Sequence, residues 1–231
     1  MKVLGIETST MMVGVALVDE RGLVAEYRSE ATRSRSERLM PMIDQVMKDS
    51  HTMPQDLTGI AISIGPGSFT GLRIGVSTAK GLAFALGLPV VGVPTLEVLV
   101  APLAAGSYAY PICPMLDAKR QEVYAALLSA DSEGGLKKIM EDQAISPVRL
   151  LDQLAERREP IFFLGTGTFL YEDEIKKRLG DFAIFISRLD PYPSPSVVAQ
   201  LGMNRLMSSG GDDPSSLVPL YLSRLQAKTS L

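Results

Sequence analysis

Apolar positions along the chain alternate between a period of two and a period near 3.6, so strands and helices follow one another from the start. KVLGIETS and MMVGVALVDE read as two strands joined by a short turn, and GLVAEYRSEA as a third, with Gly22 at the turn before it. SERLMPMIDQVMKDS reads as a helix with Ser36 as its N-cap. Leu39, Met40, Met42, Ile43, Val46 and Met47 fall on one broad arc, and Pro41 marks a later start or a kink. LTGIAISIG is a strand, GLRIGVSTAKGLAFALG a helix ending at Gly87, PVVGVP a strand, and residues 95–104 a further helix. The first half therefore reads β-β-β-α-β-α-β-α.

A change of composition at AAGSYAYP marks a boundary, and beyond it the opening pattern returns. At a constant offset of 110 residues Asp117 falls on Glu7, Val123 on Val13 and Leu127 on Leu17. Each unit is an apolar strand ending in an acid, a polar turn and a second apolar strand. Any two hairpins share some of this, but a duplicated α/β unit is the favoured account. A helix near 147–157, a strand at IFFLG, a helix through 171–179 and a strand at FAIFIS continue the second half. PSPSVVAQLGMNRLMSSG supplies a last long helix, and SSLVPLYLSRLQ a tail. The expected organisation is residues 1–104 as a first subdomain, 105–190 as a second, and 191–231 as a helix and tail packing back on both halves.

Composition narrows the function. The 231 residues carry a net charge of −3, which lends no global attraction to nucleic acid or an anionic membrane. The most apolar stretch, 74–93, is broken by Lys80, glycines and Pro89, and no charged-then-apolar leader opens the chain, so a cytoplasmic protein without a membrane span is expected. A single cysteine, Cys113, in an apolar run excludes an internal disulfide, and a single histidine, His51, in a polar connection excludes a site built on a histidine pair. A Ser-His-Asp or Cys-His hydrolase would have to be built on His51 alone.

GPGSFTG, between a strand and a helix, has the placement of a phosphate-binding loop. Its chemistry fits poorly. No lysine and hydroxyl follow Gly71, the spacing Gly65-x-Gly67-x-x-x-Gly71 is one residue too long for a dinucleotide fingerprint, and Pro66 removes an amide donor. The helix it opens carries Gly71, Gly75, Ala79 and Ala83 every four residues, a shallow face for close packing. So apolar a helix is either a core element of the monomer or sandwiched between its own sheet and a second subunit. The methionine-bearing helix has an apolar arc of about 160°, wider than the ~100° that one core contact requires. Together they suggest a partner surface that includes Arg38, Met42, Val46, Gly71, Gly75, Ala79 and Ala83.

IETST, RLMPMI, GPGSFTGLRIGVSTAKGLA, GVPTLEVL, LDAKRQEVYAALL, LGTGT and PLYLSR, in order over nearly the whole chain, resemble the TsaB family, also called YeaZ. That resemblance implies the duplicated actin/Hsp70/sugar-kinase (ASKHA, ribonuclease H-like) α/β fold. It also implies a place in the machinery that makes threonylcarbamoyladenosine in tRNA next to the anticodon. The expected role is a non-catalytic scaffold or dimerisation subunit, acting with a TsaD-like catalytic subunit and a TsaE-like ATPase, pairing with itself or with TsaD, and meeting tRNA through the complex. No cofactor of its own is expected, with ATP or ADP confined to the complex. TsaD-like subunits place a His-x-x-x-His pair after a GV dipeptide. Here Thr95 and Leu99 stand at those positions, so no metal site and no catalytic residue are expected.

Two departures from the family pattern stand out: Glu7 in place of an aspartate, and Arg35 in place of a histidine. In the wider fold, Glu7, Thr8, Ser9, Thr10, Asp117, Gly165 and Gly167 would be the candidates to touch a nucleotide. An ASKHA-fold kinase is the alternative function, and a glycoprotease-like peptidase a more distant one.

Overall fold

The computed structural model describes residues 1–30, 35–104, 110–130, 135–186 and 189–222. The first half comprises β1 (Lys2–Glu7), β2 (Met12–Asp19), β3 (Gly22–Glu30), α1 (Arg35–Asp49), β4 (Gly59–Gly65), α2 (Phe69–Leu86), β5 (Val90–Pro94) and α3 (Thr95–Ala104). The second comprises β6 (Ile112–Lys119), β7 (Glu122–Ala130), β8 (Leu136–Ile145), α4 (Pro147–Ala155), β9 (Ile161–Leu164), α5 (Thr166–Leu170), α6 (Glu172–Leu179), β10 (Ala183–Phe185) and α7 (Pro195–Ser209). The strands form two five-stranded sheets, ordered β3-β2-β1-β4-β5 and β8-β7-β6-β9-β10. In both, the central strand is antiparallel to its hairpin partner and parallel to the strand beyond the first helix. The order is the same in each half, so the 110-residue echo is a duplication of structure. β8 and α5 are additions to the elements expected from sequence. Most of the boundary stretch between the halves, at 105–109, lies outside the described residues, as do the side chain of Ser36 and the end of the tail from residue 223.

Each sheet is covered on one face by its own helices and on the other by a helix from the opposite half. Leu4, Ile6, Val15 and Leu17 face α1 and α2 in one core cluster, while Val3, Val18, Ala61 and Val91 face α7 in another. Conversely, Leu96, Leu99, Val100 and Leu103 of α3 pack with Ile112, Leu116, Ala126 and Leu128 of the second sheet. Helix α3 thus crosses the sequence boundary placed at 104 to fill the other half's core, and α7 lies on the first sheet rather than being shared between the two. Close approach demands small residues there. A Cβ at Gly5 would run into the Pro195 carbonyl, and one at Gly202 into Ala61.

After α7 the chain runs back along the first half as a strap. The Asp212 amide donates to the Val90 carbonyl at 2.8 Å, and the Gly92 amide to Asp212 Oδ2 at 2.7 Å. Leu217 enters the first core, Lys80 Nζ donates to its carbonyl at 3.3 Å, and the Leu220 amide donates to the Ile64 carbonyl at 2.7 Å. No helix among the described residues is long and apolar enough to cross a membrane.

Candidate functional site

The loop GPGSFTG ends β4 and opens α2. Gly65 takes φ 118°, which turns the chain sharply into the helix, and the Gly65–Pro66 peptide is cis. Ser68 is the N-cap, its Oγ accepting from the Gly71 amide at 3.3 Å. The Ser68 amide donates to the Ser9 carbonyl at 2.6 Å. Side chains at Gly67 and Gly71 would collide with the carbonyl oxygens of Ser9 and Thr8. The β1–β2 turn therefore sits against the positive end of the helix, where a phosphate would otherwise bind.

The small-residue face of α2 points the same way. Gly71, Gly75, Ala79 and Ala83 are all buried within the chain, and a Cβ at Gly75 would strike Thr8 Oγ1 and Ile62. These four cannot reach a partner, because their role is to let α2 lie close on β1 and β4. Val46 is likewise fully buried in the first core, and Met42 is half-buried against it. Of the residues expected at a partner surface, Arg38 is exposed, its Nη1 donating to Ser29 Oγ at 3.0 Å and to the Glu30 carbonyl at 3.3 Å.

The outward face of this helix pair carries different residues. Phe84 is 91% exposed, and Met40 48%. Between α1 and α2 lies a groove of about 620 Å3 lined by Met40, Ile43, Met47, Met53, Leu82 and Leu86. At 100° per residue Phe84 stands nearly opposite the Gly75/Ala79 stripe, so its position was available from the pattern once the small residues were assigned inward.

A second cavity, also of about 620 Å3, opens between the halves. Ser9 and Thr10 line it from the β1–β2 turn, and Asp117 from the end of β6. Glu7 and Thr8 do not line it and are buried below. Gly165 and Gly167 pack on the Met115 backbone, so their role is close packing of the second half. Asp117 braces its own turn: Oδ1 accepts from the Lys119 amide at 2.8 Å, and Oδ2 pairs with Lys119 Nζ at 2.6 Å. Burial works against the Asp117 charge, but the hydrogen bonds and the charge of Lys119 outweigh it and hold the carboxyl below its ordinary range. The brace is needed because Lys119, Arg120 and Gln121 all adopt positive φ, at 65°, 52° and 61°.

Glu7 is 1% exposed. Its Oε1 accepts from both the amide and the hydroxyl of Ser9 at 2.5 Å, while Oε2 has no hydrogen-bond partner. Burial pushes this carboxyl up to about 7, against the Ser9 hydrogen bonds, the nearby Ser63 hydroxyl and the charge of Arg28. Nearby, Thr95 shares a 3.1 Å hydrogen bond with Ser63, and Leu99 is in the second half's core. Among the described residues, no three His, Cys, Asp or Glu side chains cluster as metal ligands.

Sequence reasoning did not find the charged chain between the halves. Arg205 on α7 pairs with Glu97 on α3 at 2.5 Å, Lys138 on β8 lies 3.9 Å from Glu97, and Lys138 pairs with buried Asp142 at 2.8 Å. Glu97, Lys138 and Arg205 are far apart in sequence and no spacing rule links them, although Lys138 and Asp142 are four residues apart on β8.

Residues 24–230 match the family model described as tRNA N6-adenosine threonylcarbamoyltransferase, TsaD. The tRNA threonylcarbamoyladenosine biosynthesis protein TsaB of Bacillus subtilis (strain 168) is 35% identical over 228 residues, covering 99% of this chain and 96% of that protein. The YeaZ structure from Pseudomonas aeruginosa superposes with a TM-score of 0.78 at 25% identity, covering 96% of this chain and 99% of that one. A polyphosphate/ATP-glucomannokinase from Arthrobacter sp. strain KM, at 11% identity and a TM-score of 0.52 over 88% of this chain and 99% of that one, shares the fold alone. With two equivalent sheets, exchanged covering helices and relatives matched over nearly its whole length, the chain belongs to the TsaB (YeaZ) family of tRNA threonylcarbamoyladenosine biosynthesis proteins.

Proposed function

We propose that this chain is a non-catalytic scaffold subunit that pairs through the outer face of α1 and α2 with a TsaD-like catalytic subunit, in a complex completed by a TsaE-like ATPase. The observation that carries this is the 91% exposure of Phe84 on the outward side of α2, with an apolar groove of about 620 Å3 between α1 and α2 as a separate feature. Exposed large aromatics and concave apolar surfaces are both features of protein interfaces. Thr95 and Leu99, at the positions of the TsaD histidine pair, support the absence of catalysis by this subunit, since one is hydrogen-bonded to Ser63 and the other is packed in a core. tRNA meets the complex rather than this acidic chain, and the same face serves self-association when the catalytic subunit is absent.

The test is reconstitution with a cognate TsaD-like subunit and ATPase, with modified nucleoside in tRNA as the readout. Activity is expected only when this chain is present, and none from this chain alone. Modification by the chain alone, or full activity without it, overturns the assignment.

A further inference from the structure

The face of the first sheet that α7 covers holds two orphaned buried atoms of opposite character. Glu7 Oε2 has no hydrogen-bond partner, and neither has Arg28 Nη2. The strand register sets these side chains in one row: Glu7 on β1 lies opposite Gly14 on β2, and Gly14 opposite Arg28 on β3. Residues paired across a ladder share a face, and here it is the α7 face, since a Cβ at Gly14 would meet Pro195 Cγ at 2.8 Å and Arg28 Cγ at 3.1 Å. Neighbouring strands lie about 4.8 Å apart, so the Glu7 and Arg28 backbones are roughly 10 Å apart. The residue between them is glycine, so no side chain separates the two.

Arg28 is engaged on its other side. Its Nη1 pairs with Asp190 Oδ2 at 2.6 Å, and Asp190 Oδ1 accepts from the Tyr192 amide at 2.9 Å. Asp190 belongs to the connection from β10 into α7, so the pair ties that connection to β3. Two residues along β3, Glu26 adds a second tie, accepting from the Ser194 and Ser196 hydroxyls at 2.9 and 3.3 Å. Besides Arg28, the groups acting on Glu7 are the Ser9 amide and hydroxyl and the Ser63 hydroxyl of β4. Glu26 and Asp190 are the acids next to Arg28, and the first turn of α7, PSVV, brings no charge.

Glu7 and Asp190 compete for one guanidinium on unequal terms. Asp190 is half-exposed, and there an ion pair contributes little because water screens it. Glu7 is buried, and its charge, once formed, leaves one oxygen bare in a low dielectric, which is costly. A neutral Glu7 leaves Arg28 with Asp190. An ionised Glu7 draws the cation inward.

We propose that Arg28 is a two-position latch: it holds Asp190, and through it the connection into α7, while Glu7 is neutral, and crosses Gly14 to pair with Glu7 when that carboxyl ionises, letting the connection go. Tyr192 on that connection lines the cavity between the halves, so the latch sets one wall of the cavity. It does not depend on the pairing role of α1 and α2.

The experiment follows the full chain by NMR, with nitrogen-15 in arginine and tyrosine, from pH 5 to pH 8.5. The Arg28 side-chain Nε signal and the Tyr192 amide signal shift together with one midpoint. That midpoint lies at or below the value of about 7 that burial gives Glu7, because pairing with Arg28 favours the charged form. In Glu7→Gln neither signal moves over this range. In Arg28→Met the Tyr192 amide keeps its high-pH position throughout, since nothing holds Asp190. Arg28→Met decides the matter if Glu7→Gln fails to fold. Wild-type signals that do not titrate overturn the proposal, the result expected if a buried water simply bridges the two orphaned atoms. So does a Tyr192 titration that persists at full amplitude in Glu7→Gln or in Arg28→Met.

Discussion

The amide of Ser68 donates to the carbonyl oxygen of Ser9 across 2.6 Å, joining the first turn of α2 to the turn between β1 and β2. A glycine-rich loop that looks built to cradle a phosphate is instead a joint between two backbone segments. Its glycines are there because the partner atoms are backbone carbonyls, which cannot move aside for a side chain.

That joint makes α2 intolerant of side chains on its inner face. Gly75→Val would push a branched side chain into Thr8 and Ile62, and is expected to cost about 2–3 kcal/mol of folding stability or to prevent folding. A denaturant melt of the variant checks this. A fully stable variant that had only lost association would return the small-residue face to the interface.

The opposite face should behave in the reverse way. Phe84 is 91% exposed, so Phe84→Asp is expected to change stability by less than about 0.5 kcal/mol while abolishing pairing. Light scattering and a thermal melt on the same sample separate the two effects. Unchanged association would remove α2 from the partner surface.

Glu7 predicts a pH dependence. Its carboxyl holds a proton up to about pH 7 in the folded chain, against an ordinary value of 4.5, so folding takes up a proton between those values. The associated stability is fully present below pH 4.5 and lost as pH rises through about 7, amounting to about 3 kcal/mol. Urea melts from pH 5 to pH 8 should show wild-type stability falling across this window and Glu7→Gln nearly level. Parallel curves for the two proteins would place the titration elsewhere.

The charged chain between the halves gives a fourth test. Burial raises the Glu97 carboxyl even though Arg205 and Lys138 pull it down, so its charge depends on both cations. Lys138→Met would leave Asp142 buried without its ion-pair partner, at a cost of about 3 kcal/mol. The double variant Lys138→Met/Asp142→Leu should recover most of this in the same melt. No recovery would mean that the pair does not act as a unit.

The sequence showed the strands and helices of the first half, because Leu4, Ile6, Val15 and Leu17 alternate cleanly and α2 ends at a glycine with φ 65°. β8 escaped notice because LKKIMEDQAI, an edge strand with charged residues on its exposed face, has too little apolar alternation to stand out. The direction of the α2 stripe was not legible either. A row of Gly and Ala satisfies a close sheet contact and a close helix contact equally, and only the placement of Thr8 decides between them. Of the candidates at the cavity, Ser9, Thr10 and Asp117 follow from the family resemblance and, for Asp117, from the 110-residue repeat, whereas Tyr124, Tyr192 and Tyr221 come together only through the chain's return path.

The exchange of α3 and α7 between the halves sets an order of events during synthesis. The first sheet can form once β5 has left the ribosome, yet Val3, Ala61 and Val91 stay uncovered until α7 follows, roughly 100 residues later and about 5–20 s at usual elongation rates. For that interval the nascent chain presents a bare apolar sheet face, an opening for chaperones and a hazard for aggregation. A chain halted before Pro195 would remain in that state permanently, so roughly the last sixth of the sequence governs the solubility of the first half.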